Sequence, residues 1–178
     1  MCNFKSAIVV RDEREKGGFR LLLSPWTEYH SELITIFKLN DGKLLHFARV
    51  EFSPDEMKNA HLVEKYKLKI DEERKPEWLD AEMEGKVTTK LADYIKSIIV
   101  TGDVSLLIGG QFVIAPGAKV ECAKEMVINA ICGGTVSEIR GGTVSEISGG
   151  TVSAIWKHFN GLIGKVSKAE TIIKDNRK

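Results

Sequence analysis

TGDVSLLI (101–108), GGQFVIAP (109–116), GAKVECAK (117–124), EMVINAIC (125–132), GGTVSEIR (133–140), GGTVSEIS (141–148) and GGTVSAIW (149–156) are seven consecutive eights. Their fourth positions are Val104, Phe112, Val120, Ile128, Val136, Val144 and Val152. Their seventh positions are Leu107, Ala115, Ala123, Ile131, Ile139, Ile147 and Ile155. Two apolar columns without an exception are a repeat, and a repeat outranks local propensity as a fold signal. Paired glycines exclude a helix, since each costs about 1 kcal/mol against alanine in a helix interior. Gly-Gly would suit the turns of a hairpin meander. That arrangement fails on side-chain direction: Val136 and Ile139 are three apart and face opposite sides of a flat strand. A β-solenoid removes the conflict. The chain bends inside each eight, both apolar side chains turn into one interior, and glycines take corners that need positive φ. Eight residues are too few to close a coil, so the expected coil holds two octads, sixteen residues.

The pattern weakens but persists in Phe159, Ile163, Val166 and Ile172. The solenoid is therefore expected over 101–173, with 174–178 as a flexible tail. Thr135, Thr143 and Thr151 recur with the octad and suit half-exposed strand positions. Each end strand of such a stack offers unpaired N–H and C=O groups, so the chain is expected to form a homo-oligomer through this segment.

Residues 1–100 read as a compact α+β domain in the order β-β-α-β-β-α. The expected strands are Ser6–Val10, Phe19–Leu23, Leu44–Phe52 and Leu62–Ile70, with a turn at Asn40-Asp41-Gly42. The expected helices are Glu28–Leu39, with Thr27 or Ser31 as cap, and a stretch opening at Pro76 and running to Ile98. The fold class is thus an α+β N-terminal domain followed by a short β-solenoid of about two octads per coil.

Composition excludes several functions. Lys plus Arg is 26, Asp plus Glu is 25, and the net charge is +1. Residues 1–100 carry 17 basic and 18 acidic side chains, and residues 101–178 carry 9 and 7. Neither half has the positive excess on which nucleic-acid and anionic-membrane binders rely. No run of 18 apolar residues suggests a membrane span, and the N-terminus MCNFKS lacks the pattern of a secretory signal. Three scattered cysteines, Cys2, Cys122 and Cys132, make no disulfide framework and point to a reducing, cytoplasmic setting. No CxxC or HxxxH pair, GxGxxG, Walker loop or GxSxG is present, so the sequence asks for no metal and no cofactor.

CNFKSAI (2–8), HSEL (30–33), RVE (49–51) with Pro54, and KIDEERKPEW (69–78) resemble a protein family of bacteriophages and prophages. Its members share an N-terminal domain with these blocks, often followed by short glycine-containing β-solenoid repeats, and the resemblance runs over the whole chain. It implies a phage-encoded accessory protein in the host cytoplasm, and no catalytic residues. Such accessory proteins often counter host defence, some of them as oligomers that sequester nucleotide signals. Fold alone does not settle function.

Lys5, Ser6, His30, Arg49, Glu51 and Asp71 stand at strand edges and at a helix start. In one reading Lys5, Arg49 and the helix start near His30 bind an anionic ligand. In the other, Arg49 and Glu51 are a local ion pair and His30 is structural. Trp26 and Trp78 would stack on a base or anchor the core, and the DEERK loop (71–75) reads as solvated surface. The expected function is non-enzymatic binding, of a nucleotide signal or of a host defence protein. The alternatives are a small hydrolase- or nuclease-type enzyme using His30 with Glu51 or Asp71, and a phage structural or assembly component.

Overall fold

The computed structural model describes residues 4–40, 46–156, 162–166 and 172–176. The protein is mixed α+β, with an antiparallel sheet and a curled parallel sheet. Its chain divides into two units, Met1–Pro54 with Tyr66–Ile95, and Asp55–Lys65 with Lys96–Lys178. This boundary differs from a single cut at residue 100, because the excursion 55–65 belongs to the second unit.

The first unit holds strands β1 (Lys5–Arg11), β2 (Phe19–Leu22), β3 (Phe47–Pro54) and β4 (Tyr66–Ile70), in the antiparallel order β2-β1-β3-β4. Helix α1 (His30–Ile36) packs Leu33, Ile34 and Phe37 with Ile8, Val10, Leu22 and Phe47. Those strand residues share one sheet face by alternation and register. The opposite face carries Lys5, Ala7, Val9 and Phe52. Lys5 lies over the ring of Tyr94, which belongs to helix α2 (Ala81–Ile98). The sheet is therefore covered on both faces, and β1 is buried from Lys5 to Val9.

Both helices are shorter than the sequence suggests. Lys38 takes positive φ, and the Leu39 N–H donates to the Ile34 carbonyl, which stops α1 early. Among the described residues no side chain caps its start; Thr27 instead accepts from the Tyr29 N–H. Helix α2 opens at Ala81 rather than Pro76 because Asp80 accepts the Met83 N–H at 2.9 Å and caps it. Its stripe Val87, Leu91, Ile95 and Ile98 is buried. Strand β4 begins at Tyr66, four residues later than expected, because Val63–Lys65 is a 3₁₀ turn. Strand β3 runs from Phe47 to Pro54; the expected turn at 41–42 and the expected strand start at 44–45 lie outside the described residues.

In the second unit, β5 (Ile99–Val100), β6 (Asp103–Ile108) and β7 (Gln111–Ile114) precede a run of extended backbone, β8 (Lys119–Trp156). Strands β9 (Leu162–Val166) and β10 (Ile172–Asn176) follow. Different stretches of β8 pair with β6, β7, β9 and β10, always in parallel. A straight strand of its 38 residues would reach ~125 Å; pairing with four short strands requires it to curl. Parallel pairing also removes the hairpin meander. The register is sixteen residues: Asp103↔Lys119, Val104↔Val120 and Phe112↔Ile128. Between β7 and β8 it slips to seventeen after Phe112, where Asn129 is the extra residue of a bulge, and it widens to nineteen with β9 and twenty with β10. Gln111 donates a buried 2.8 Å side-chain hydrogen bond to Asn129 at the bulge.

The repeat columns face one interior. All seven seventh-position residues are buried, as are the fourth-position residues from Val120 to Val152. Val104 and Phe112 are partly buried against the same cluster. The register with β9 is Thr143↔Leu162 and with β10 is Ile172↔Val152. Parallel pairing thus continues past Trp156. Within the expected tail 174–178, Lys174, Asp175 and Asn176 pair with Ala154, Ile155 and Trp156, and residues 177–178 lie outside the described residues.

The octad opens on a glycine in five of its seven copies, but Glu125 holds that place in EMVINAIC with φ 49°. A side chain in this left-handed region is disfavoured by about 1–2 kcal/mol, and its neighbour Lys124 is an exposed contact at 3.9 Å. Glu125→Gly is expected to stabilise the second unit by roughly 0.5–1 kcal/mol after the added unfolded-state entropy of glycine. A higher urea midpoint for residues 96–156 by hydrogen exchange checks this; a lower midpoint contradicts it.

Candidate functional site

Strand alternation divides the six singled-out residues. Ser6 and Glu51 are cross-strand partners, and Glu51 is in register with Lys69 of β4. The Asp71 N–H donates to the Arg49 carbonyl at 2.9 Å, extending the same ladder. Ser6, Arg49, Glu51 and Asp71 therefore project to the face that α1 covers. The first residue of α1, His30, is buried there, with Nδ1 3.1 Å from Asp71 Oδ2 and Nε2 3.1 Å from the Val50 carbonyl. A ring nitrogen of His30 and carboxylate oxygens of Glu51 and Asp71 lie within 4.8 Å of one another. Asp71 is 45% exposed and leaves this group open on one side.

Lys5 is on the other face and takes no part. Fully buried, it donates to the Ser24 carbonyl and to Glu28 Oε1 at 2.9 Å, while Glu28 Oε2 accepts the Ser6 N–H at 2.6 Å. Burial pushes its pKa below the usual lysine range, and the Glu28 charge and hydrogen bond pull it partly back. Arg49 is also committed. Its backbone N–H and Nε donate to Glu72 Oε1, and Nη2 donates to Oε2 at 2.8 Å, a fork on one carboxylate. The partner of Arg49 is thus Glu72, not Glu51.

Arg49 also lines a cleft of about 820 Å³ with Arg11, His46, Arg74, Lys75 and Trp78; Glu72, Glu73, Pro76 and Glu77 complete it. The DEERK segment is therefore a cleft wall. Arg11 pairs with Glu13 and Lys75 with Glu84. Arg74 is exposed and has no ion pair among the described residues.

No family model, curated protein or solved structure matches the chain. The site is accordingly read from its own geometry. Among the described residues no helix is long and apolar enough to cross a membrane.

The sequence reading missed the cleft, although Trp78 beside three basic residues of the segment 69–78 was a usable signal. His30, Glu51 and Asp71, which the sequence offered as the alternative pairs His30–Glu51 and His30–Asp71, lie together in the fold. In the second unit, Cys132 is a weak nucleophile. Burial pushes its thiol up to about 11, against the lowering pull of the His61 and Ala60 N–H groups, and it donates to the Met57 carbonyl at 3.6 Å. With so raised a pKa the thiolate is scarce below pH 9. Iodoacetamide at pH 8 is expected to leave Cys132 unmodified in the native chain and to alkylate it after denaturation. Peptide mass mapping reads the result; fast native alkylation contradicts it.

Proposed function

We propose that the chain is a non-enzymatic accessory binding protein of bacteriophage or prophage origin, which counters a host defence component by holding a nucleotide-type signal. The cleft at Trp78 carries this reading. Its volume of about 820 Å³ falls among small-molecule sites, which span roughly 300–1,000 Å³. Its wall combines an indole for a base with the exposed guanidinium of Arg74 for a phosphate, while Arg49, Arg11 and Lys75 are already paired with Glu72, Glu13 and Glu84. The phage context rests on the sequence blocks, and the cleft rests on geometry.

In this proposal the second unit is a β-solenoid with sixteen residues per coil, through which copies associate. The sixteen-residue register and the two inward columns support the coil. Strand β6 pairs only with β8 among the described residues and exposes Leu106 and Ile108. An unpaired edge beside exposed apolar side chains suits a second copy of the same edge.

Native mass spectrometry of the protein purified from its host tests both parts together. A retained nucleotide, recovered intact after heat denaturation, supports sequestration, and Trp78→Ala and Arg74→Ala should each weaken its binding at least tenfold. A monomer at high concentration removes the assembly claim. Capture of a defence protein with no nucleotide replaces the ligand claim with direct protein contact. The second reading is a small hydrolase, favoured by the 3.1 Å contact of His30 with Asp71; consumption of the added nucleotide would select it.

A further inference from the structure

We propose that His30, Glu51 and Asp71 bind one divalent first-row metal ion in the first unit, with Ser6 hydrogen-bonding to a water on that ion. The proposal stands apart from the cleft and holds whether or not a nucleotide binds there.

Four observations converge on the site. The ligand atoms come from α1, β3 and the end of β4 and lie within 4.8 Å of one another. Three separated elements explain why no ligand spacing is visible in the sequence. The edge between His30 Nδ1 and Asp71 Oδ2 is 3.1 Å, which is about the separation of neighbouring ligands around an ion with bonds of ~2.0–2.2 Å. His30 Nε2 lies 3.1 Å from the Val50 carbonyl. An N–H donated there fixes the tautomer that presents the Nδ1 lone pair, as outer partners of metal-bound histidines do.

Ser6 supplies the independent observation. It is fully buried, and its Oγ has no hydrogen-bond partner among the described residues. It stands opposite Glu51 in the β1–β3 register, so its side chain projects beside that carboxylate, with Cβ atoms ~5 Å apart. A buried hydroxyl without a partner costs about 1–3 kcal/mol, and a metal-bound water within its reach removes that cost.

Charge and access agree. The two carboxylates leave the group net negative, and the Lys69 ammonium lies 3.4 Å from Glu51 Oε2. That lysine is 66% exposed and can swing into water as an ion enters past Asp71. One nitrogen and two carboxylates suit Mn²⁺ or Zn²⁺ better than Ca²⁺, which prefers oxygen ligands alone. Without an ion, the same 3.1 Å contact is a hydrogen bond donated by a proton on Nδ1 to Asp71, so the test must separate that arrangement from a metal-bound Nδ1.

Titration of the intact chain with Mn²⁺, followed by loss of the free-ion signal in electron paramagnetic resonance, and with Zn²⁺ by calorimetry, makes the separation. Saturable binding of one ion per chain is expected for at least one of the two metals. Asp71→Asn should weaken it at least tenfold, and this surface variant should keep the wild-type melting profile. Ser6→Ala should weaken it severalfold. His30→Gln should abolish it, its fold being checked by circular dichroism. No saturable binding of either metal, or binding that Asp71→Asn leaves unchanged, overturns the site.

Discussion

Gly142→Ala is expected to unfold the stacked part of the second unit. A Cβ at Gly142 would stand 2.1 Å from the Met126 carbonyl oxygen and 2.6 Å from its nitrogen, and the residue has φ +92°. The obstacle is main chain sixteen residues earlier, which cannot rotate aside. Positive φ alone costs alanine about 1–2 kcal/mol; adding the clash places the loss above about 4 kcal/mol, among the largest single-residue effects. Gly150→Ala meets the Gly134 carbonyl oxygen in the same way. Two controls divide the effect into its causes. Gly117 has φ +81° with nothing within 4 Å of the added Cβ, so Gly117→Ala should lose only the dihedral part. Gly102 has open space and no unusual φ, so Gly102→Ala should change stability by less than about 0.5 kcal/mol. Hydrogen exchange of the amides in 119–156 measures all four variants in one unit. Equal protection in Gly142→Ala and Gly102→Ala would remove the close stacking.

Glu28→Ala is expected to cost the first unit about 4 kcal/mol, from the loss of one partner of a buried ion pair and of the acceptor for a buried N–H. The Lys5 ammonium is fully buried over the Tyr94 ring, and Glu28 serves both it and the Ser6 N–H. Lys5→Met is expected to cost far less, because it removes the charge that needed a partner and fills similar space, while the Glu28 carboxylate keeps some solvent contact. The pH dependence has a definite sign. Lys5 in the folded chain gives up its proton more readily than in the unfolded chain, where its pKa is 10.5. Between those two values the unfolded state binds more protons, so stability rises with pH across the window. Removing Glu28 takes away the interactions that raise the folded pKa and widens the window downward. The deficit of Glu28→Ala relative to wild type should therefore shrink as pH is raised toward 10. Tyr94, pushed up to about 12 mainly by burial, stays neutral over that range. Melting temperatures from pH 7 to 10 provide the check; a deficit that grows with pH contradicts the placement of Lys5.

The octads were legible because a repeat needs no knowledge of distant partners. Two apolar columns three apart require a bend, and the sixteen-residue register follows from two bends. The site was legible only in part. His30, Glu51 and Asp71 were marked as candidates and meet. Grouping Lys5 with Arg49 in one pocket failed on alternation, since the register of Lys5 with Phe52 sets it on the face away from Arg49. Glu72 as the partner of Arg49 could not be read, because a loop carboxylate has no periodicity to declare where it turns. The early stop of α1 depends on positive φ at Lys38, a choice no lysine advertises. The seven residues of α1 carry His30 to Asp71, and the sheet register sets Ser6 opposite Glu51.

The proposed coil is tested most directly by spin labels on its outer wall. With the native cysteines replaced, labels at Ser137 and Ser153 are sixteen residues apart, and labels at Ser137 and Ser145 are eight apart. Stacked coils bring the first pair to backbones ~4.8 Å apart, while the second pair sits on walls ~10 Å apart facing away from each other. Strong dipolar broadening for Ser137 with Ser153, and little for Ser137 with Ser145, is the expected spectrum. Broadening that is strong for the eight-residue pair and missing for the sixteen-residue pair would contradict the coil and the assembly built on it.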